Sequence, residues 1–222
     1  MDWHPLQTSV PGEFSPTLLH LGAINGFSLR QPHIDTHVDR ALAVERLAHS
    51  HHTLQQELGL DQKALCLAEQ IHGDTVAILR NPDQRMTPGV DALVTEHPAI
   101  CLGIFVADCC AVFALDPEKK AIGLAHSGAK GTRLGVVPKM LQALHNEFGS
   151  SPSDLIVVLS PCIRPPFYEV DFAQQIHRQC REFGVQSILD PGICTASNTD
   201  RYYSYRTEQG KTGRMLALLA LR

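Results

Sequence analysis

Apolar residues along the chain cluster in short runs, and the spacing within those runs switches between a period of two and a period near ~3.6, the marks of strands and helices. Thr17–Asn25 predicts a strand. Val44, Leu47, Leu54 and Leu58 form a stripe at helical spacing, which predicts a helix over Val44–Leu58 closed by Gly59. Strands are predicted at Ala64–Glu69 and Thr75–Leu79, flanking the polar turn Gln70-Ile71-His72-Gly73, and the two prolines of Asn81–Gly89 mark a loop. Ala92–Thr95, Ile100–Val106, Ala111–Leu115 and Ala121–Ala125 predict buried strands, the last two joined by a Pro117 turn. Thr132–Phe148 predicts one helix with Pro138 in its first turns, Leu155–Leu159 a strand, and Asp171–Phe183 a helix capped by Asp171 and ended by Gly184. Tyr202–Arg206 and Met215–Leu221 predict a closing hairpin. Strands and helices therefore interleave with hairpin links, which predicts an α/β fold with mixed sheets in a single domain over residues 1–222, with residues 1–16 a loosely packed N-terminal segment.

Composition narrows the function classes. The chain has 222 residues, enough for a core without a disulfide framework, and a formal net charge of −4, which argues against a general electrostatic nucleic-acid binder. Met1–Pro16 lacks a secretory leader pattern, and the longest clean apolar run, Met215–Leu221, is far shorter than the ~20 residues of a bilayer span. The seven cysteines are odd in number and no two have Cys-x-x-Cys spacing, so a reducing cytoplasm is the expected setting.

Twelve histidines invite metal readings, and most fail on context. His33 and His37 lack the glutamate of a zincin and lie in a predicted loop; His49, His51 and His52 read as a solvated helix face. Three residues stand out by position. His72 sits in a tight turn after a strand, Cys109 follows the strand Ile100–Val106, and His126 follows the strand Ala121–Ala125. Strand ends that feed loops are where α/β proteins place chemistry. Two imidazoles and a thiolate suit zinc, and three protein ligands leave a fourth position open, the catalytic pattern. Each residue taken alone also fits a plain structural part.

At these residues the chain resembles the YfiH family of purine nucleoside phosphorylases, also called the laccase-domain or multicopper polyphenol oxidoreductase family. The ordered set carries the resemblance: Gln70–Val76 resembles Q-V-H-G-x-x-V, Asp91–Thr95 D-A-L-V-T, Ala107–Cys109 A-D-C and Ala125–Gly131 A-H-A-G-W-R-G. Further on, Ser160–Ile163 and Tyr168–Val170 resemble G-P-x-I and Y-E-V, and Cys194-Thr195, Tyr203–Arg206 and Thr212–Arg214 resemble C-T, F-S-Y-R and T-G-R. The resemblance implies a layered sandwich of mixed β-sheets flanked by helices, the YfiH-like, cysteine-hydrolase type of fold. It implies zinc held by His72, Cys109 and His126, with copper able to take the same ligands. It also implies phosphorolysis of adenosine, inosine, guanosine or methylthioadenosine, and adenosine deamination. The partners are then a purine nucleoside and phosphate, with no nucleic acid and no membrane, in a monomer or homodimer. The chain departs from the pattern at Ala129-Lys130, where the family has Trp-Arg, at Ala111 in place of a proline, and at Ser50-His51 in place of Asn-Arg. Arg30–Val44 is too compressed to hold the family's S-L-N-L-G stretch.

The expected roles follow. Cys109, His126 and Asp108 are the catalytic candidates, with Asp108 or Glu169 managing protons, and Gln70, Lys130 and Arg206 are the substrate-contact candidates. Asp108 is equally readable as support to a ligand, Gln70 as a turn pin and Arg206 as a structural hydrogen-bonder. Three other readings compete. One is a metal-free hydrolase or deamidase, including peptidoglycan-precursor editing, with Cys109 as nucleophile and His126 as base. A copper polyphenol oxidase needs several His-x-His pairs, and this chain has only His49-Ser50-His51. A divergent binder with little catalysis is motivated by Ala129-Lys130.

Overall fold

The computed structural model describes residues 3–222. In chain order the elements are β1 (His4–Pro5), β2 (Gly12–Phe14), α1 (Pro16–His20), β3 (Ala23–Ser28), α2 (Arg40–Glu57), β4 (Ala64–Ala68), β5 (Val76–Ile78), β6 (Met86–Thr87), β7 (Ala92–Thr95), β8 (Ile100–Val106), β9 (Cys110–Asp116), β10 (Ala121–Ser127), α3 (Ala129–Leu134), α4 (Val136–Phe148), β11 (Ile156–Leu159), α5 (Phe172–Phe183), β12 (Ser187–Leu189) and β13 (Met215–Leu221). They form a seven-stranded sheet in the order β1-β2-β3-β13-β8-β4-β6 and a six-stranded sheet in the order β12-β11-β9-β10-β7-β5. Both are mixed: β13 runs antiparallel to β3 and β8, while β4 is parallel to β8 and β5 to β7.

Strand periodicity builds the layers. In β9, Ala111, Phe113 and Leu115 face the core between the sheets, whereas Cys110, Val112 and Ala114 face the opposite side. In β13, Ala217 and Leu219 face that same inter-sheet core, and Leu216, Leu218 and Ala220 pack with Leu54 of α2. Val136, Val137, Met140, Leu141 and Leu144 of α4, with Phe172, Ala173 and Ile176 of α5, close the outer face of the six-stranded sheet. The result is the expected layered sandwich, with central strands apolar on both faces because both faces are covered.

Several elements differ from the sequence expectation. Thr17–Asn25 is not one strand. Ser15 caps α1 with Pro16 at its first position, and β3 begins only at Ala23. The single helix expected over Thr132–Phe148 is two, broken at Gly135, whose φ of 83° suits glycine. No hairpin joins Tyr202–Arg206 to β13; that segment forms turns, and β13 pairs with β3 and β8 instead. The short strand β12 was not anticipated, nor was the β6 pair inside the expected loop. Of the N-terminal segment, residues 1–2 lie outside the described residues, and residues 4–11 are exposed or half-buried. Trp3 is buried, donates its indole N–H to the Leu159 carbonyl at 2.8 Å, and packs against Phe27 and Phe113. Nor is His51 on a solvated face: it is buried, with Nε2 3.1 Å from the Arg214 carbonyl and its ring against Phe105.

Candidate metal and substrate site

Three loops converge at one end of the sheets. His72 follows β4 in a turn, Cys109 lies between β8 and β9, and His126 is near the end of β10. Their donor atoms all lie within 4.8 Å of one another. Among the described residues, this is the one group of three or more His, Cys, Asp and Glu side chains close enough to hold a metal ion. The His72 and His126 rings meet edge-on at a centroid distance of 4.7 Å.

Asp91, at the start of β7, organises the group. Its fully buried carboxylate accepts the backbone N–H groups of Ile71, His72 and Gly73 at 3.1, 3.0 and 2.6 Å. It also contacts Nδ1 of His126 at 2.8 Å, so the ring turns Nε2 toward the other two donors. The main chain of Asp91 contributes as well, its carbonyl accepting from the His126 N–H at 2.7 Å. Gln70 and His72 adopt φ of 63° and 58°, a region that side chains usually avoid, and the Asp91 carboxylate holds that turn in shape. Asp91 is the functional residue the sequence reading passed over. Its signal was an acid immediately before the apolar strand Ala92–Thr95.

The electrostatics are those of an ion pair. Burial works to raise the Cys109 thiol, but the His126 charge and hydrogen bonds from both imidazoles bring it down to about 6. Burial works to lower His126, but the Cys109 thiolate, the Asp91 hydrogen bond and the Cys109 hydrogen bond push it up to about 9. The Asp91 carboxyl is itself held below its ordinary value: burial opposes this, and hydrogen bonds from His126, Gly73 and His72 prevail. Glycine at 128 makes the arrangement possible, because a Cβ there would lie 2.5 Å from Cys109 Sγ.

The remaining sequence candidates divide. Asp108, with φ of 79°, lines the cavity with both oxygens engaged: one accepts from Thr195 Oγ1 at 2.6 Å, the other from Ser204 Oγ at 3.0 Å and the Arg206 N–H at 2.7 Å. It pins the segment after residue 200 to the loop bearing Cys109. The Gln70 amide is committed to Phe105, donating to its carbonyl at 2.6 Å and accepting from its N–H at 2.9 Å. Arg206 forms a two-pronged pair with Glu169 at 3.2 and 3.0 Å and stacks over Tyr168 at 4.8 Å, so both side chains are engaged with each other. Lys130 is exposed on α3 and lines the cavity.

That cavity encloses about 1020 Å³ and takes in His72, Cys109 and His126. Phe105, Tyr168, Phe172 and Tyr205 supply aromatic surface, and Arg40, Lys130, Lys211 and Arg214 supply positive charge. Its size is at the upper end for small-molecule sites, which run ~300–1000 Å³.

Comparison with known proteins agrees with this picture. The family model described as multi-copper polyphenol oxidoreductase laccase matches residues 33–172 and 168–222. The chain belongs to that family. Within the laccase-domain family, it is 28% identical over 187 residues to a purine nucleoside phosphorylase of Streptomyces coelicolor, spanning 72% of this chain and 76% of that protein. It is 26% identical over 201 residues to the purine nucleoside phosphorylase YlmD of Bacillus subtilis, spanning 73% and 72%. The crystal structure of YlmD from Geobacillus stearothermophilus superposes with a TM-score of 0.89 at 22% identity, covering 100% of this chain and 99% of that one. The YfiH structure from Bacillus licheniformis gives 0.86 at 20% identity, covering 99% of each. The mixed two-sheet α/β fold is thus the fold of these laccase-domain proteins. No helix is long and apolar enough to cross a membrane.

Proposed function

We propose that the chain is a zinc-dependent enzyme that cleaves purine nucleosides by phosphorolysis. The observation that carries this reading is the His72–Cys109–His126 donor group opening into a cavity lined by aromatic rings and cations. Relatives named as purine nucleoside phosphorylases support the substrate class. The donor set fits the metal: two imidazoles, one of them oriented by Asp91, and a cysteine already biased to the thiolate that a metal requires. Copper would find the same three donors, but a multicopper cluster needs more histidines than converge here. When bound, the ion supplies Lewis-acid polarisation of an oxygen in the cavity.

The protein's own residues do the rest. In phosphorolysis a phosphate oxygen forms a bond to the ribose anomeric carbon, the bond to the base nitrogen breaks, and the electron pair leaves with the base, which then takes up a proton. The rings of Phe105, Tyr168 and Phe172 offer the purine an apolar surface. Lys130 brings a positive charge toward the phosphate, though as a point charge and not a planar fork. Positioning of two reactants in one cavity supplies much of the rate gain. The assay is turnover of inosine and adenosine with and without phosphate, in the wild type and in Cys109→Ala. Phosphate-dependent release of free base, abolished in Cys109→Ala, is the expected result. Conversion of adenosine to inosine without phosphate would instead assign deamination, and full activity of Cys109→Ala would end both assignments.

A second reading is favoured by one observation, the Asp91–His126–Cys109 line with its lowered thiol. Without a metal it has the parts of a Cys–His–Asp hydrolase, with Cys109 as nucleophile, His126 as base and Asp91 as the group that orients it. Purified protein free of stoichiometric metal, yet inactivated by alkylation of Cys109, would support it.

A further inference from the structure

The cations of the cavity are unevenly employed. Arg206 is neutralised by Glu169. Arg214 is different: it is only 8% exposed, and among the described residues no carboxylate lies within salt-bridge distance of it. Its Nη1 donates to the carbonyls of Thr212 and Gly213 at 2.7 and 2.8 Å, which fixes the side chain but supplies no counter-charge. Burying a guanidinium in this way is costly unless an anion joins it. Burial holds Arg214 below the ordinary arginine value, and the nearby charge of Arg40 pushes the same way.

Arg40 is itself oddly placed. It occupies the first position of the 18-residue helix α2, the end where the helix dipole disfavours a cation. Its one hydrogen bond is a long contact to the Glu69 carbonyl at 3.4 Å. Two acids line the same cavity without pairing to either arginine: Asp39 accepts from the Leu42 N–H as the cap of α2, and Asp108 accepts from Thr195, Ser204 and the Arg206 N–H. Asp108 and the Cys109 thiolate favour the Arg214 charge only from a distance, and burial and Arg40 outweigh them. Two guanidiniums thus line one cavity and repel each other, and among the described residues neither has a carboxylate within salt-bridge distance.

We propose that Arg40 and Arg214 form a phosphate subsite, in which the two guanidiniums bind one phosphate dianion. Arginine suits this task because its planar fork matches phosphate oxygens. The subsite deepens the nucleoside reading and rests on it only for what binds beside the anion; the charge arrangement stands without it. The same chemistry could be met by inorganic phosphate, as the attacking reactant, or by the 5′-phosphate of a nucleotide. Arg214 belongs to the Thr212–Arg214 stretch that resembles the family's T-G-R, whereas Arg40 lies in the compressed stretch Arg30–Val44.

The test is calorimetric titration of the purified full-length protein with inorganic phosphate, with adenosine 5′-monophosphate and with adenosine. The variants are Arg40→Gln and Arg214→Gln, and the control is Arg85→Gln, an exposed arginine away from the cavity. Affinity for phosphate or for the monophosphate should fall at least tenfold in both site variants, while adenosine affinity stays within about twofold. A tenfold loss for phosphate assigns the subsite to the free reactant, and one for the monophosphate alone assigns it to the substrate. Unchanged affinities in the site variants, an equal loss in Arg85→Gln, or no anion binding by the wild type overturns the subsite. If Arg214→Gln fails to fold, Arg40→Gln decides, because its side chain is exposed and holds no packing. Arginine-dependent phosphate binding without nucleoside turnover would leave the subsite standing and remove the nucleoside reading; turnover without arginine dependence would do the reverse.

Discussion

Asp91 shows how much of the site depends on one buried carboxylate. Four donors converge on it, three from the backbone of the His72 turn and one from the His126 ring. Asp91→Ala leaves buried donors without an acceptor, at about 1–3 kcal/mol each when no water replaces it. The milder Asp91→Asn keeps the shape but loses the charge that supports His126. We expect Asp91→Asn to remain folded and to weaken zinc affinity by about 10–100-fold, measured by competition with a chelating dye. His51 offers a cleaner test of electrostatics, since it lies away from the donor group. Burial lowers it to about 4, against 6.5 for the free group. The unfolded chain therefore binds a proton at His51 between those values while the folded chain does not, so stability falls as pH drops from 6.5 toward 4. The loss is about 3 kcal/mol. Urea unfolding at pH 7 and at pH 4.5 should show His51→Gln losing less stability on acidification than the wild type. Equal acid losses in the two proteins would contradict the buried, neutral histidine.

Elements explain why the fold was readable and where the reading stopped. The central strands β7 and β8 fell at the predicted boundaries because a run buried on both faces is continuously apolar and ends abruptly at polar turns. Asp171 and Gly184 bracketed α5 for equally local reasons, a side-chain cap and a left-handed stop. His72, Cys109 and His126 stood out at strand ends, but it was the family resemblance that implied them as one set. What failed was partly local and partly long-range. Ser15-Pro16 started a helix within an apolar stretch that read as a strand, and Gly135 broke what periodicity joined. Tyr202–Arg206 looked like a strand, but its polar groups turn inward to Asp108, a partner nearly a hundred residues away. Pairing was also invisible: Arg206 had no visible reason to be neutralised by Glu169 until both were placed. The junction from β10 to α3 yields a prediction of its own. Gly128→Ala places a methyl against Cys109 Sγ and should displace that sulfur while leaving the sheets intact. Metal content should fall by at least half with little change in the far-ultraviolet circular dichroism spectrum. Full metal occupancy in Gly128→Ala would show that the close approach is not required.

For the molecule as a whole, two mixed sheets stacked face to face, with α2 on one side and α4 and α5 on the other, give a rigid frame for loops that carry the chemistry. The N-terminal segment belongs to that frame. Trp3 reaches across to the carbonyl at the end of β11 and packs between rings of the two sheets. Trp3→Ala should cost about 3–5 kcal/mol in urea unfolding, as expected for a large ring removed from a core. A change below about 1 kcal/mol would return the segment to a loose tail. The laccase-domain name and the phosphorylase names of the relatives point to different chemistries, and among the described residues one group of three donors could hold a metal ion. The central claim is that this site carries one zinc ion and that nucleoside cleavage depends on it. The most direct test is elemental analysis of the purified protein, coupled to phosphate-dependent inosine cleavage before chelation, after chelation and after zinc is restored. The account predicts about one zinc per chain, loss of cleavage on removal and recovery on return; full cleavage by metal-free protein would contradict it.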